Sequence, residues 1–397
     1  MKIIIILLVG IILNNNWSFS QGSKQQKKSF PKIQNWEVEV EKAKQDNKYI
    51  MVDLSTEWCT SCKIADKKLF TDPEVLTLMN SKLNTYKLDA EKDSVGQLLK
   101  LKFGVCSYPS FLIFTSNGDY LETWYGYMPR WYWLQYVKDS IDTVPISRPG
   151  IPEGLKFEWP QFIQRELAAK FRNSAPEKEE LKQYFAQSNY KTYKDFSICR
   201  MYPGDIPDSL LQLMLNDQTW MGANYGKDLS TDMLSTSINW KTYAAVQQKN
   251  WTTARAYMQK YHTHFPQFKW ELFNAKLYYY QCKEETDSAI ILGKANPDFI
   301  FEQVAQQLID LVINSGKTKE QLQQALTWNE GAFSKEAGFN YYKNKALLNN
   351  KLANHEEARN DAKKALNTAK HENRKLTEAD QILKQILKQQ SNPSKPN

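Results

Sequence analysis

Residues 48–63 read KYIMVDLSTEWCTSCK, and the reading of this stretch decides the fold. Lys48 to Ser55 is a near-continuous apolar and β-branched run, the mark of a strand covered on both faces as in a parallel sheet. It leads directly into Glu57-Trp58-Cys59, and Cys62 follows with only Thr60 and Ser61 between. Beyond the pair, Ile64, Ala65 and Leu69 recur at helical spacing, so a helix is expected to start at the motif. That arrangement carries chemistry as well as shape, because the unpaired N–H groups at a helix N-terminus stabilise a thiolate. A lone C-x-x-C also supplies half of a zinc site, but zinc normally takes four ligands, and no second Cys or His pair follows at ribbon or finger spacing. We therefore expect a redox pair, with Cys59 the exposed nucleophile and Cys62, one helical turn later, the thiol that resolves its mixed disulfide.

Outward from the motif, the chain alternates. Trp36 to Asn47 has helical spacing ahead of the strand. After the pair, the pattern continues through Val75, Leu76 and Met79, broken at Thr71-Asp72-Pro73, where a restart is expected because proline cannot continue the helix ladder. Asn84–Leu88 reads as a second strand and Val95–Phe103 as a helix. Ser110–Thr115 is a third strand, turning at Asn117-Gly118 into Tyr120–Tyr125, and Pro129–Ile141 closes with a helix. Alternation of this kind predicts an α/β unit, a sheet with helices on both faces.

With these residues in place, the stretch resembles thioredoxin. VDLSTEWCTSCK at 52–63 matches that family's strand, tryptophan, cysteine pair and following lysine, and SYPS at 107–110 matches its proline loop. The resemblance covers about residues 36–142. LFTDPEV at 69–75 follows the motif as it does in the C-terminal domain of DsbD-type interchange proteins and in related single-domain reductases. The resemblance implies a thioredoxin fold and a protein thiol–disulfide oxidoreductase that needs no cofactor, with Cys59 and Cys62 as its redox-active disulfide. It implies that Asp53 is a buried carboxylate beneath the cysteines, relaying the proton of the resolving thiol, with Lys87 close by. Burial in a strand should raise that carboxyl's proton affinity. It further implies that Pro109 is a cis-proline beside the pair, that Tyr108 lines a groove for an extended client, that Gly126 leaves room on its other side, and that Trp58 lies over the pair. Plainer readings stand beside these: Asp53 as a surface or capping aspartate, Lys87 as a solvated strand-end lysine, Trp58 as core. Thr60-Ser61 departs from the family's Gly-Pro, and the histidine of strongly oxidising relatives is absent, which tilts the expectation toward a reductase or isomerase-supporting role.

The ends of the chain add context. Lys2, the apolar run Ile3–Leu13 and the close Ser18-Phe19-Ser20-Gln21 have the layout of a secretory signal, too short to span a bilayer comfortably. We expect cleavage before Gln21 and a periplasmic or otherwise extracytoplasmic location, with an uncleaved membrane anchor as the alternative. Gly22–Gln34 reads as a solvated tether. Three prolines in VPISRPGIPE, 144–153, mark a boundary. The expected plan is a signal over 1–20, a linker over 21–34, a thioredoxin-like domain over 35–143, a second linker over 144–155, an all-α domain over 156–388 and a disordered tail over 389–397. Helical spacing is read in Trp159–Phe171, Lys178–Ser188, Trp251–His262, Lys269–Gln281, Phe301–Ile313, Glu320–Gly331 and Tyr341–Thr368. Ala346, Ala358, Ala362 and Ala365 have the small-residue spacing of a tetratricopeptide repeat, so a TPR-like solenoid and an irregular bundle both stand.

The composition, 42% hydrophobic and 13% aromatic, supplies cores for globular units. The net charge of +8 is dispersed, without a basic block beyond Lys24–Lys28, which argues against nucleic acid. Five cysteines form no dense even framework. Cys106 falls near the proline loop, as a third regulatory thiol or an idle one, and Cys199 and Cys282 either pair or stay reduced. His262 and His264, two apart on a helix, share no face, so no metal site is expected. Two functions follow. In the first, the protein exchanges disulfides with protein clients, is fed by a membrane or periplasmic electron donor, and offers its helical domain to a client or partner. In the second, the fold is a non-catalytic scaffold and the helical domain mediates protein–protein interaction.

Overall fold

The computed structural model describes residues 30–142, 148–155, 157–169, 175–377 and 379–388. The expected signal segment, residues 21–29 of the tether and the tail at 389–397 lie outside the described residues. The chain forms two compact units: Met1–Ser147 with Ile151–Pro176, and Arg148–Gly150 with Glu177–Asn397.

The first unit is built as α1 (Trp36–Asp46), β1 (Tyr49–Ser55), α2 (Thr60–Lys68), α3 (Pro73–Lys82), β2 (Leu83–Asp89), α4 (Ser94–Phe103), β3 (Ser110–Phe114), β4 (Tyr120–Tyr125), α5 (Arg130–Asp142) and α6 (Gln161–Ala168). The strands form one mixed sheet in the order β2-β1-β3-β4. β1 runs parallel to β2 and antiparallel to β3, and β3 pairs antiparallel with β4. β1 is thus an inner strand, and Ile50 through Ser55 are all buried, which is why it reads as an unbroken apolar run. Its register sets Asp53 opposite Lys87 on one side and Phe111 on the other.

Side chains two apart on a strand share a face, so Asp53 lies on the same face as Met51. Met51, Phe111 and Ile113 form one core with Ala65 and Leu69 of α2, Val75 and Met79 of α3, and Trp133 and Val137 of α5. Each fully buried large apolar side chain of this kind contributes about 1.5–3 kcal/mol. The break between α2 and α3 has a local cause. Asp72 caps α3, accepting from the N–H groups of Glu74 at 3.0 Å and Val75 at 3.2 Å, and Pro73 occupies the first helical position, where its missing N–H costs nothing.

The first unit extends past the expected limits of 35–143 at both ends. Phe30 meets Phe70 edge-on at 5.1 Å, Ile33 is buried, and the Lys87 N–H donates to the Pro31 carbonyl at 3.2 Å. Phe30 and Ile33, assigned to the solvated tether, therefore pack against the first unit, while Pro31, Lys32 and Gln34 stay exposed. At the other end, buried Lys102 donates to the carbonyls of Pro152 at 2.6 Å and Gly154 at 2.7 Å, while Trp159, Phe162 and Ile163 are buried. The proline-rich composition of 144–155 signals a linker, but its end at 152–154 is held in place by the two carbonyl contacts of Lys102.

The described part of the second unit is helical: α7 (Lys178–Gln187), α8 (Tyr193–Met201), α9 (Asp208–Asn216), α10 (Gln218–Tyr225), α11 (Lys227–Gln247), α12 (Trp251–His264), α13 (Lys269–Lys283), α14 (Thr286–Ala295), α15 (Glu302–Ser315), α16 (Lys319–Phe333), α17 (Phe339–Lys351), α18 (His355–His371) and α19 (Ile382–Lys388). The helical spacing read over Tyr341–Thr368 falls on two helices, separated at Ala353, whose φ of 60° is left-handed. Ala346, Ala358, Ala362 and Ala365 are fully buried in a core shared by α17, α18 and α19. Among the described residues, no helix is long and apolar enough to cross a membrane. Cys199 is buried, Cys282 is exposed, and neither forms a disulfide.

Candidate active site

The parallel and antiparallel neighbours of β1 hold its C-terminal end rigidly, and the chain leaves that end into the cysteine turn. Cys59 and Cys62 are joined as a disulfide. Cys59 is the N-cap of α2, and its Sγ accepts from the Cys62 N–H at 3.0 Å. A sulfur therefore does the capping work usually given to an oxygen, satisfying one of the orphan donors of the first turn. The expectation of an exposed Cys59 is not met: both cysteines are 3% exposed. The Cys59 sulfur is bonded to one neighbour, capped by that neighbour's N–H, and 3.4 Å from the Ser61 hydroxyl, so its own turn covers much of it.

Asp53 is 1% exposed. Burial pushes its carboxyl from the ordinary 3.8 up to about 6, against the nearby charge of Lys87, which lowers it. This rules out the plain reading of a surface aspartate. Lys87 Nζ lies 3.0 Å from Asp53 Oδ2 and 2.6 Å from Asp66 Oδ1. Only the Asp66 contact has good hydrogen-bond geometry, and neither Asp53 oxygen receives a well-directed bond from the described residues. We read the Asp53 contact as an ion pair at close range with the lysine turned toward Asp66. Burial disfavours the Lys87 ammonium, but the two carboxylates outweigh it and hold its proton affinity above the usual lysine range. Asp66 is a participant the sequence reading missed. Its signal was available, since it stands four residues after Cys62 on the same helix face.

On the other side of the pair, the Tyr108–Pro109 peptide is cis. The Ser61 hydroxyl donates to the Tyr108 carbonyl at 3.1 Å, and the Gly126 N–H donates to the Pro109 carbonyl at 2.8 Å. The proline loop is thus tied to the cysteine helix on one side and to the end of β4 on the other. Gly126 adopts φ of +82°, and a Cβ added there would meet nothing within 4 Å, so glycine is required by backbone conformation and the space beside it is open. Trp58 is 64% exposed, donates from Nε1 to Glu91 at 2.9 Å, and meets Tyr108 edge-on at 5.8 Å. It stands beside the proline loop, largely exposed, rather than in the core.

A four-stranded mixed sheet with a cysteine pair capping the helix after its inner strand and a cis-proline loop alongside defines the thioredoxin-like class, and residues 32–116 match the family of that description. The curated proteins it is similar to include the thiol:disulfide interchange protein DsbD of Photorhabdus laumondii, 28% identical over 120 residues, which are 29% of this chain and 21% of that protein. The DsbD of Haemophilus ducreyi is 32% identical over 83 residues, 21% of this chain and 14% of that protein. This chain thus spans about a fifth or less of the length of these relatives. A solved structure of a DsbH oxidoreductase aligns with 31% of this chain and 92% of its own, at 18% identity and a TM-score of 0.25.

Proposed function

We propose that the protein is a thiol–disulfide oxidoreductase that reduces or isomerises disulfides of protein clients outside the cytoplasm. The observation that carries this reading is the Cys59–Cys62 disulfide capping α2, backed by the buried carboxyl of Asp53. In the dithiol form, the Cys59 thiolate, stabilised by the α2 N-terminus, attacks one sulfur of a client disulfide and expels the other as a thiolate. Cys62 gives its proton to Asp53 and attacks the Cys59 sulfur. The client's remaining sulfur leaves, two electrons have passed to the client, and the chain is left with its own disulfide. A carboxyl balanced near pH 6 is suited to accept and return that proton close to neutrality. Lys87 steadies the charge Asp53 carries between turnovers. Tyr108, Pro109, Gly126 and Trp58 border the approach to the pair.

Regeneration needs a dithiol donor, which we place in the same compartment as the clients. The extracytoplasmic assignment rests on Lys2, the Ile3–Leu13 run and the Ser18–Gln21 pattern. The helical unit is assigned to a client or partner protein. The test is equilibration of the protein in glutathione buffers with thiol labelling of Cys59 and Cys62. A reversible couple near thioredoxin's, about −270 mV, supports a reductase and a value near −120 mV an oxidant. No reversible couple would leave a scaffold.

A further inference from the structure

Ser61 has one hydroxyl proton and two acceptors within reach. The Tyr108 carbonyl lies at 3.1 Å and receives it, and the Cys59 sulfur lies at 3.4 Å. In the disulfide, that sulfur is neutral and a weak acceptor, so the proton rests on the carbonyl. A Cys59 thiolate competes for that proton, because hydrogen bonds to a charged acceptor are roughly twice as strong as neutral ones, and the shorter contact to the carbonyl holds the hydroxyl until another donor takes the carbonyl over. The hydroxyl needs only to rotate about its own bond to serve either acceptor. The carbonyl it would leave belongs to the residue before the cis-proline, on the rim where Gly126 leaves open space and Trp58 stands exposed.

We propose that Ser61 couples client docking to activation of Cys59: a backbone N–H of an extended client takes over the Tyr108 carbonyl, and the released Ser61 hydroxyl then donates to the Cys59 thiolate. The inference rests on the oxidoreductase reading of the same pair and adds to it the residue that links binding to reactivity. The Ser61 proton is redirected and never transferred. The exchange therefore balances as before: the Cys59 thiolate forms a bond to one client sulfur, the client S–S bond breaks, and its second sulfur departs with the electron pair. Because a small disulfide offers no backbone N–H to the carbonyl, the coupling predicts a preference for peptide disulfides.

The experiment compares the full chain with S61A and S61T, each reduced with dithiothreitol and desalted. Alkylation of Cys59 by iodoacetamide is followed against pH by mass spectrometry. With a cysteine-free extended peptide present at saturating concentration, the rate inflection is expected to lie about one pH unit lower than without it in wild type and in S61T, which keeps the hydroxyl, and not to move in S61A, which has no hydroxyl to release. The mixed-disulfide rate with an extended peptide disulfide, divided by that with hydroxyethyl disulfide, is expected to drop about tenfold in S61A alone. A peptide-dependent inflection and a rate ratio in S61A identical to wild type would overturn the proposal. Alkylation requires no disulfide exchange, so its outcome is separate from failure of the oxidoreductase reading, which reduction of insulin disulfides by the wild-type chain tests.

Discussion

At Asp53, one side chain sets stability against reactivity. Burial raises its carboxyl from 3.8 to about 6, so between those values the folded chain binds a proton that the unfolded chain has lost. Stability therefore falls with rising pH across that window: the burial penalty is absent below about pH 4 and complete above about pH 6. The rise corresponds to on the order of 3 kcal/mol at neutral pH. Asp53→Asn is expected to be more stable than wild type by up to that amount, about 3 kcal/mol, near pH 8, with the gap closing by pH 4. Urea unfolding at the two pH values checks this; a gap that does not change with pH would mean the substitution acts through packing. Under the proposed mechanism the same variant lacks an acceptor for the Cys62 proton, and its client reduction near pH 7 should fall about a hundredfold.

Elements in this chain are specified by quite different signals. α2 and α3 carry their own punctuation, a cysteine cap and an Asp72-Pro73 start. α11, twenty-one residues long, has no such clarity, since its buried face includes Ser230, Ser237 and Thr242 among its apolar residues. Those hydroxyls are satisfied by donating to carbonyls four residues back, at 2.7–2.8 Å, so they can be buried without partners elsewhere, but they erase the apolar period by which a helix is recognised. The alanine seam of α17 and α18 shows the opposite case. Its four alanines are fully buried, leaving no room for larger groups. Ala362→Leu is expected to destabilise the helical unit by about 1–3 kcal/mol through overpacking while leaving the Cys59–Cys62 couple unchanged, as read by denaturant unfolding alongside thiol labelling.

For the whole molecule, the division into two units determines where the chain can be cut. Lys102 holds the carbonyls of Pro152 and Gly154 inside the first unit, and burial lowers its own proton affinity to about 8. A fragment ending at Pro176 retains this strap and the buried Trp159, Phe162 and Ile163, whereas one ending at Thr143 loses them. The longer fragment is expected to unfold cooperatively and keep a reversible disulfide. The shorter should lose several kcal/mol, at about 1.5–3 kcal/mol for each large apolar group no longer buried. Guanidinium unfolding of the two fragments decides between them, and equal stabilities would return the boundary to the 144–155 stretch.

The amino-acid sequence by itself determined the elements around the cysteine pair, because each is announced by neighbours in the chain: an apolar run, a cap, a proline, a turn. It also pointed to the pair, to Asp53 and to the proline loop. The helices between 189 and 250 stayed hidden because buried hydroxyls and short helices carry little periodicity. Only tertiary structure decided the contacts that tune the site. Lys87 reaches Asp66 across 21 residues of chain, and Ser61 reaches Tyr108 across 47. Such contacts depend on strand register and on which way a side chain turns when two acceptors compete, and neither is encoded in local spacing. The burial of Cys59 has the same origin, since its exposure is set by the fold of its own turn and not by the polarity of its flanking residues.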